Sequence, residues 1–261
     1  MKPATIPDRA ARIGGTYGET TGHRRECDLM TTNGNGKDAT VNDMTGTMSD
    51  ALATVRDADY LLADWPYPPP GGWTADDLDN LPQDGPHGEP GFFRRVELLD
   101  GALIFMSPQK RFHERLIRGL TDRLDAQAPE HLAAVSQMDI KINKFQRPCP
   151  DVLVIDARAA DDNSRTSYTP AEVHLAVEVV SPESKFRDRK IKPERYAAAG
   201  ITHFWLIEDE SDKPVVYVYE LDPTTQSYVP TGIHHGRLSL EVPFPIDVDL
   251  VGLLSRGGAS G

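Results

Sequence analysis

Two acidic residues on apolar stretches, followed by a run of cations, set the chemistry open to this chain. Asp151 begins DVLVI and Glu178 lies inside HLAVEVV. Across residues 173–180, alternation puts Val173, Leu175, Val177 and Val179 on one wholly apolar face. His174, Ala176, Glu178 and Val180 take the other. A strand this apolar belongs near the middle of a sheet, where an unpaired carboxylate costs several kcal/mol. If Asp151 is on the adjacent strand, the two carboxylates converge, and they repel unless a proton or a cation separates them. A hard divalent ion such as Mg²⁺ takes one or two carboxylates with waters and phosphate oxygens. It would polarise a phosphodiester and activate water for in-line attack. The next segment is basic, with Lys185, Arg187, Arg189, Lys190, Lys192 and Arg195 offset by Asp188 and Glu194. A lysine there can orient the water or stabilise charge on phosphate, and arginines can hold a nucleic-acid backbone.

Each of these residues also has a plain structural reading. A strand glutamate paired with a lysine is often only an ion pair, and a basic run is often a solvated helix face. His113 reads as a helix-face residue with a satisfied hydrogen bond, Glu97 as an outward-facing strand residue, and Cys149 as a small buried side chain. The sequence contains no P-loop, dinucleotide glycine fingerprint, HExxH or GxSxG.

The elements that must position these residues follow from local pattern. RVELLDGALIFM, residues 95–106, reads as a hairpin turning at Asp100-Gly101. Residues 110–126 read as a helix with His113, Ile117, Leu120 and Leu124 on one face. Residues 135–142, DVLVID, residues 173–180, ITHFWLIE and VVYVYEL read as strands, the last two as a final hairpin. A helix through residues 195–199 stops at Gly200. TADDLDNLP reads as a short helix capped by Thr74, and LSLEVPFPIDVDLVGLL as a closing strand and apolar segment. This order predicts an α/β (α+β) domain over residues 60–255, built around a central mixed sheet. Residues 1–59 and 256–261 are expected to be disordered tails, the first because TTNGNGKDATVNDMTGTMSD offers little to bury. Met30, Met44 and Met48 lie within or beside that tail, and each is a candidate for the true start.

The chain has 261 residues, 39% hydrophobic and 26% charged, with 28 Lys+Arg against 40 Asp+Glu and a formal net charge of −12. That balance disfavours strong non-specific binding to DNA or anionic membrane, while allowing a local basic groove. The two cysteines, Cys27 and Cys149, do not suggest a disulfide framework. No stretch is long and apolar enough to span a bilayer, and no secretory signal opens the chain. A cytoplasmic protein is expected.

Taken together, VELLDGALIFMSP, His113, RPCPDVLVI and VEVVSPESKFRDRKIKPERYAAAGITHFWLIE resemble the Uma2 family of the PD-(D/E)XK nuclease superfamily. The resemblance runs over residues 74–254. It implies a restriction-endonuclease-like central mixed sheet flanked by helices, and a Mg²⁺-dependent endonuclease that hydrolyses DNA phosphodiesters, with Mn²⁺ as a substitute ion and RNA as an alternative substrate. By position it makes Asp151 and Glu178 the metal ligands, with the Val179 backbone carbonyl a third. It makes Lys192 the catalytic lysine, and Glu97 and His113 further site members, with Asp188 and Tyr196 at neighbouring family positions. Lys185, Arg187, Arg189 and Lys190 would contact nucleic acid, and restriction-like folds often act as homodimers. The superfamily pattern puts a lysine two residues after the glutamate, whereas this chain has Val180. Pro193 then places Lys192 at a helix mouth with extended geometry, which makes Lys190 the substitute candidate. The competing expectation is a nucleic-acid-binding or regulatory protein that keeps the fold without cutting. A purely structural role is a third.

Overall fold

The computed structural model describes residues 66–86 and 88–254, which fall in one compact unit. The expected tails and the candidate starts lie outside the described residues.

The elements begin with the hairpin of β1 (Val96–Leu99) and β2 (Ala102–Phe105). Asp100 and Gly101 both have positive φ, 49° and 77°, as a two-residue turn of this hand requires. Helix α1 (Arg111–Gln127) follows, and buries Leu116, Ile117, Leu120 and Leu124 along one stripe. Next come β3 (Leu132–Ser136), β4 (Asp139–Ile140), β5 (Val152–Asp156), β6 (Ser167–Tyr168) and β7 (Val173–Val179). The single strand expected over residues 135–142 is therefore two pieces, broken where Gln137 takes a φ of 54°. Helix α2 (Lys192–Ala198) leads into β8 (His203–Asp209), β9 (Pro214–Asp222) and β10 (Ser227–His235). The chain closes with the hairpin of β11 (Arg237–Leu240) and β12 (Ile246–Asp249). β10 was not anticipated. It is mostly exposed and polar, so it lacks the apolar pattern that marks the inner strands.

Six strands form one mixed sheet in the order β10-β9-β8-β7-β5-β3. β7 and β8 are parallel, joined by the crossover that carries α2, and the other pairings are antiparallel. β7 is an inner strand, as its composition predicts. One sheet face, with Leu175, Val177, Trp205 and Val216, packs on the α1 stripe and on the β11–β12 hairpin. The opposite face, with Leu153, Ala176, Phe204 and Leu206, packs on Tyr196 and Ile201. Val173 joins this second face rather than the first, because an irregularity in β5–β7 sets it opposite Ile155.

The connection after β7 is one helical rod. Residues Arg187–Ile191 form a π turn that runs directly into α2. In an ordinary α-helix Pro193 would clash with the carbonyl one turn back and would lack its own N–H. The wider π turn relieves that conflict. Lys192 accordingly has helical φ and ψ of −61° and −45°. The expected extended helix mouth is replaced by continuous helix.

TADDLDNLP contains a 3-10 turn, Asp77–Asn80, rather than an α-helix. Its cap is reversed from the expected one, because the Asp77 carboxylate accepts from the Thr74 N–H and hydroxyl at 2.8 and 2.7 Å.

A buried acid and lysine site at the end of the central strands

Asp151 sits at the entry to β5, and its N–H donates to the carbonyl of Val177 at 3.0 Å. Its carboxylate turns toward the end of β7 and accepts the Val179 N–H at 2.6 Å. Glu178 projects from the second face of β7 and is 2% exposed. Both of its oxygens are engaged: Tyr196 donates at 2.6 Å and Lys192 at 3.0 Å. Strand alternation thus delivers Glu178 beneath α2.

Lys192 reaches the site fully, while Lys190 is exposed on the outer side of the rod. The Lys192 ammonium lies 3.0 Å from Glu97, 3.0 Å from Glu178 and 3.4 Å from Asp188. Burial alone would push its pKa down. The carboxylates of Glu178, Glu97, Asp188 and Asp151 outweigh burial, and hold the group charged well above the usual lysine range.

The same cluster carries more negative than positive groups. Glu97, Glu178 and Asp188 are each buried to 2% exposure or less. Burial raises the pKa of Glu178 well above the ordinary glutamate value against the pull of Lys192, and Asp188, Asp151 and Glu97 add to the rise. Asp188 is likewise raised, chiefly by burial. One Asp188 oxygen makes no hydrogen bond and lies 3.4 Å from the Lys192 ammonium.

Glu97 does not face outward. The β1–β2 hairpin docks through backbone hydrogen bonds between Leu98 and Arg147, 2.8 and 3.0 Å, which turn Glu97 inward. There it accepts from the Cys149 N–H at 3.2 Å. Arg147 is itself buried, bonded to Asp139 at 2.7 Å, the Ala75 carbonyl at 2.8 Å, Thr166 at 3.0 Å and Asp79 at 2.8 Å. This clasp fixes the register of the hairpin, and the sequence reading did not find it.

His113, in the first turn of α1, donates from Nε2 to the Val179 carbonyl at 3.0 Å and lies 3.4 Å from Asp151. Burial opposes its charged form, but Asp151 and the carbonyl raise its pKa overall. Its helix-face position is as expected, with a satisfied hydrogen bond and a place in the site as well.

The four residues expected to meet nucleic acid separate. Lys185 and Lys190 are exposed. Arg189 is partly exposed and forms a forked pair with Glu208. Arg187 turns inward, 2.7 Å from Glu183 and 3.6 Å from Glu97, so it is committed to protein carboxylates. Tyr196 and Asp188, which the resemblance places only at neighbouring family positions, are direct members of the cluster. The structure brings both to the Glu178–Lys192 pair, Asp188 from the π turn and Tyr196 from α2.

The cavity that these groups line has a volume of about 190 Å³ and includes Asp151, Glu178, Val179, Glu97, Asp188 and Lys192. Among the described residues, no three His, Cys, Asp or Glu side chains are arranged to hold a metal ion. The donor chemistry nevertheless fits a hard divalent cation. Two carboxylates and a backbone carbonyl supply oxygen ligands, and the surplus of buried negative charge favours an added cation.

A family model for Uma2, described as "Putative restriction endonuclease", matches residues 93–251. No curated protein matches the chain. Among solved structures, a crystal structure described as a "putative nuclease belonging to DUF820" from Anabaena variabilis is similar, with a TM-score of 0.52 and 16% identity. The match covers 70% of this chain and 99% of that one. At that identity the likeness speaks for the fold, a restriction-endonuclease-like mixed sheet flanked by helices.

Proposed function

The chain belongs to the Uma2 family, and from that premise we propose that it is a Mg²⁺-dependent endonuclease hydrolysing DNA phosphodiester bonds. The observation that carries the proposal is the meeting, in one cavity, of Asp151 before β5, Glu178 on β7 and Lys192 on α2. Asp151 and Glu178 would hold the ion, beside the Val179 carbonyl. When bound, such an ion polarises the phosphodiester and lowers the pKa of a water.

The chain's own groups do the positioning. Tyr196 fixes one oxygen of Glu178 and so sets the direction of the carboxylate. Glu97 and Asp188 hold the Lys192 ammonium against Glu178, where it can orient the attacking water or offset charge on the phosphate. His113 anchors the Asp151 end of the site. Lys185 and Lys190 border neighbouring clefts, where they would meet the phosphate backbone beyond the cavity, and Arg189 beside them is paired with Glu208.

One observation favours a second reading, a nucleic-acid-binding protein that does not cut. Glu178, Asp151 and the Val179 carbonyl are all bonded to protein groups already. Calorimetric titration with Mn²⁺ separates the two. The endonuclease reading predicts saturable binding that Glu178→Gln weakens at least about tenfold, as loss of a charged ligand implies. Absence of binding to the parent protein would move the assignment to the second reading.

A further inference from the structure

A second cleft lies on the outer side of α2, between that helix and strands β8–β10. Its volume is about 410 Å³, within the range of about 300–1,000 Å³ typical of small-molecule sites. Its aromatic floor is Phe204 on β8, Tyr219 on β9 and Tyr228 on β10. Phe204 packs on Tyr219 at 5.7 Å between ring centroids, and on Tyr228 at 5.4 Å with an interplanar angle of 29°. Phe204 is buried, but both tyrosines remain partly exposed. Lys190 and Arg189 border the cleft, and Glu194 is the one acidic residue among those described as lining it.

Two features tie this cleft to the site under α2. Tyr196 packs on Phe204 at 6.0 Å, and its hydroxyl bonds Glu178. Arg189 also borders a neighbouring cleft of about 420 Å³, lined by Lys110, Lys185 and His113. Glu183, Glu208 and Asp209 also line that neighbouring cleft and Arg189 is paired with Glu208, so the cation that the aromatic cleft offers without an ion pair among the described residues is Lys190. Partly exposed rings beside cations suit unpaired bases, because every base has a stacking face while the backbone needs positive charge. A base inside a duplex has both faces occupied by its neighbours.

Building on the nuclease reading, we infer that this cleft binds an unpaired nucleotide, with its base stacked on Tyr219 and Tyr228 and its phosphate on Lys190. The substrate class is then DNA with a single-stranded segment beside the cut, rather than blunt duplex.

The test is fluorescence anisotropy with the full chain in chelating buffer, so that nothing is cut. The probes are a labelled blunt duplex, and the same duplex with a short single-stranded overhang. The inference predicts tighter binding of the overhang probe. It also predicts that Tyr219→Ala weakens this binding at least about fivefold, while Tyr219→Phe retains it. Lys190→Glu, an exposed substitution that leaves the core untouched, should weaken it too. Equal affinity for the two probes, or no effect of Tyr219→Ala and Lys190→Glu, would overturn the cleft assignment and leave the nuclease reading standing. Failure of the parent protein to bind either probe would likewise overturn the cleft assignment, while the nuclease reading is decided separately by cleavage in Mg²⁺.

Discussion

Lys192 is the residue on which the charge of the site turns. Its ammonium faces Glu97, Glu178 and Asp188 within 3.4 Å, and all four groups are shielded from water. Removing one partner of a buried ion cluster costs about 3–5 kcal/mol, since the remaining charges lose their compensation. Lys192→Ala is therefore expected to lower the unfolding free energy by about that amount in urea denaturation. Glu178→Gln should do the opposite of what a buried pair usually suggests. It removes a surplus charge and keeps an acceptor for Tyr196, so the variant should be no less stable than the parent. A Glu178→Gln midpoint well below the parent's would show that the cluster has no surplus. Much of this was legible in sequence. Alternation along 173–180 isolates Glu178 as the one acid on an apolar strand, and a resemblance supplies Lys192. Asp188 and Tyr196 were not legible as partners, because a π turn lies between the strand and α2 and shifts the phase on which a helical-face argument depends.

The same difficulty recurs at the scale of elements. Short hairpins and apolar strands follow local rules, so β1–β2, β5, β7 and β8–β9 were readable. β10 follows no apolar alternation and is held by its neighbour β9 instead. The turn Pro170–Glu172 that leads into β7 shows what local chemistry can fix. Thr169 and Glu172 form a reciprocal capping box, and Arg165 clamps the Glu172 carboxylate through two bonds of 2.7 and 2.8 Å. The Arg165 fork foremost, with the Thr169 N–H, lowers the Glu172 pKa from 4.5 to about 2. A depressed carboxylate stabilises the fold above its unfolded pKa of 4.5, and that contribution fades as pH falls through about 2. The pair is reachable by solvent, so Glu172→Gln should cost only about 1 kcal/mol at neutral pH. The gap between parent and variant in urea midpoint should close as pH falls from 4.5 to about 2. A gap that stays constant over that interval would mean the Arg165 clamp does not set the stability of this turn.

At the scale of the whole molecule, the site exists because distant segments are brought together. The hairpin delivers Glu97, α1 delivers His113, β5 and β7 present Asp151 and Glu178, and the rod after β7 delivers Lys192. Arg147 locks the first of these in place with partners from three separate segments, a contact that no local pattern encodes. That is why the inward turn of Glu97 could be suggested by a resemblance but not by its own strand. The chain carries a net charge of −12, so the proposed DNA contact would have to rest on local cations rather than on the overall field. The central claim is that Asp151 and Glu178 together make this a metal-dependent nuclease. Nicking of supercoiled plasmid tests it most directly, comparing the parent with Asp151→Ala and Glu178→Ala in Mg²⁺ and in chelator. Open-circular product is expected from the parent only with Mg²⁺, and none from either variant. Nicking that persists in both variants would contradict it.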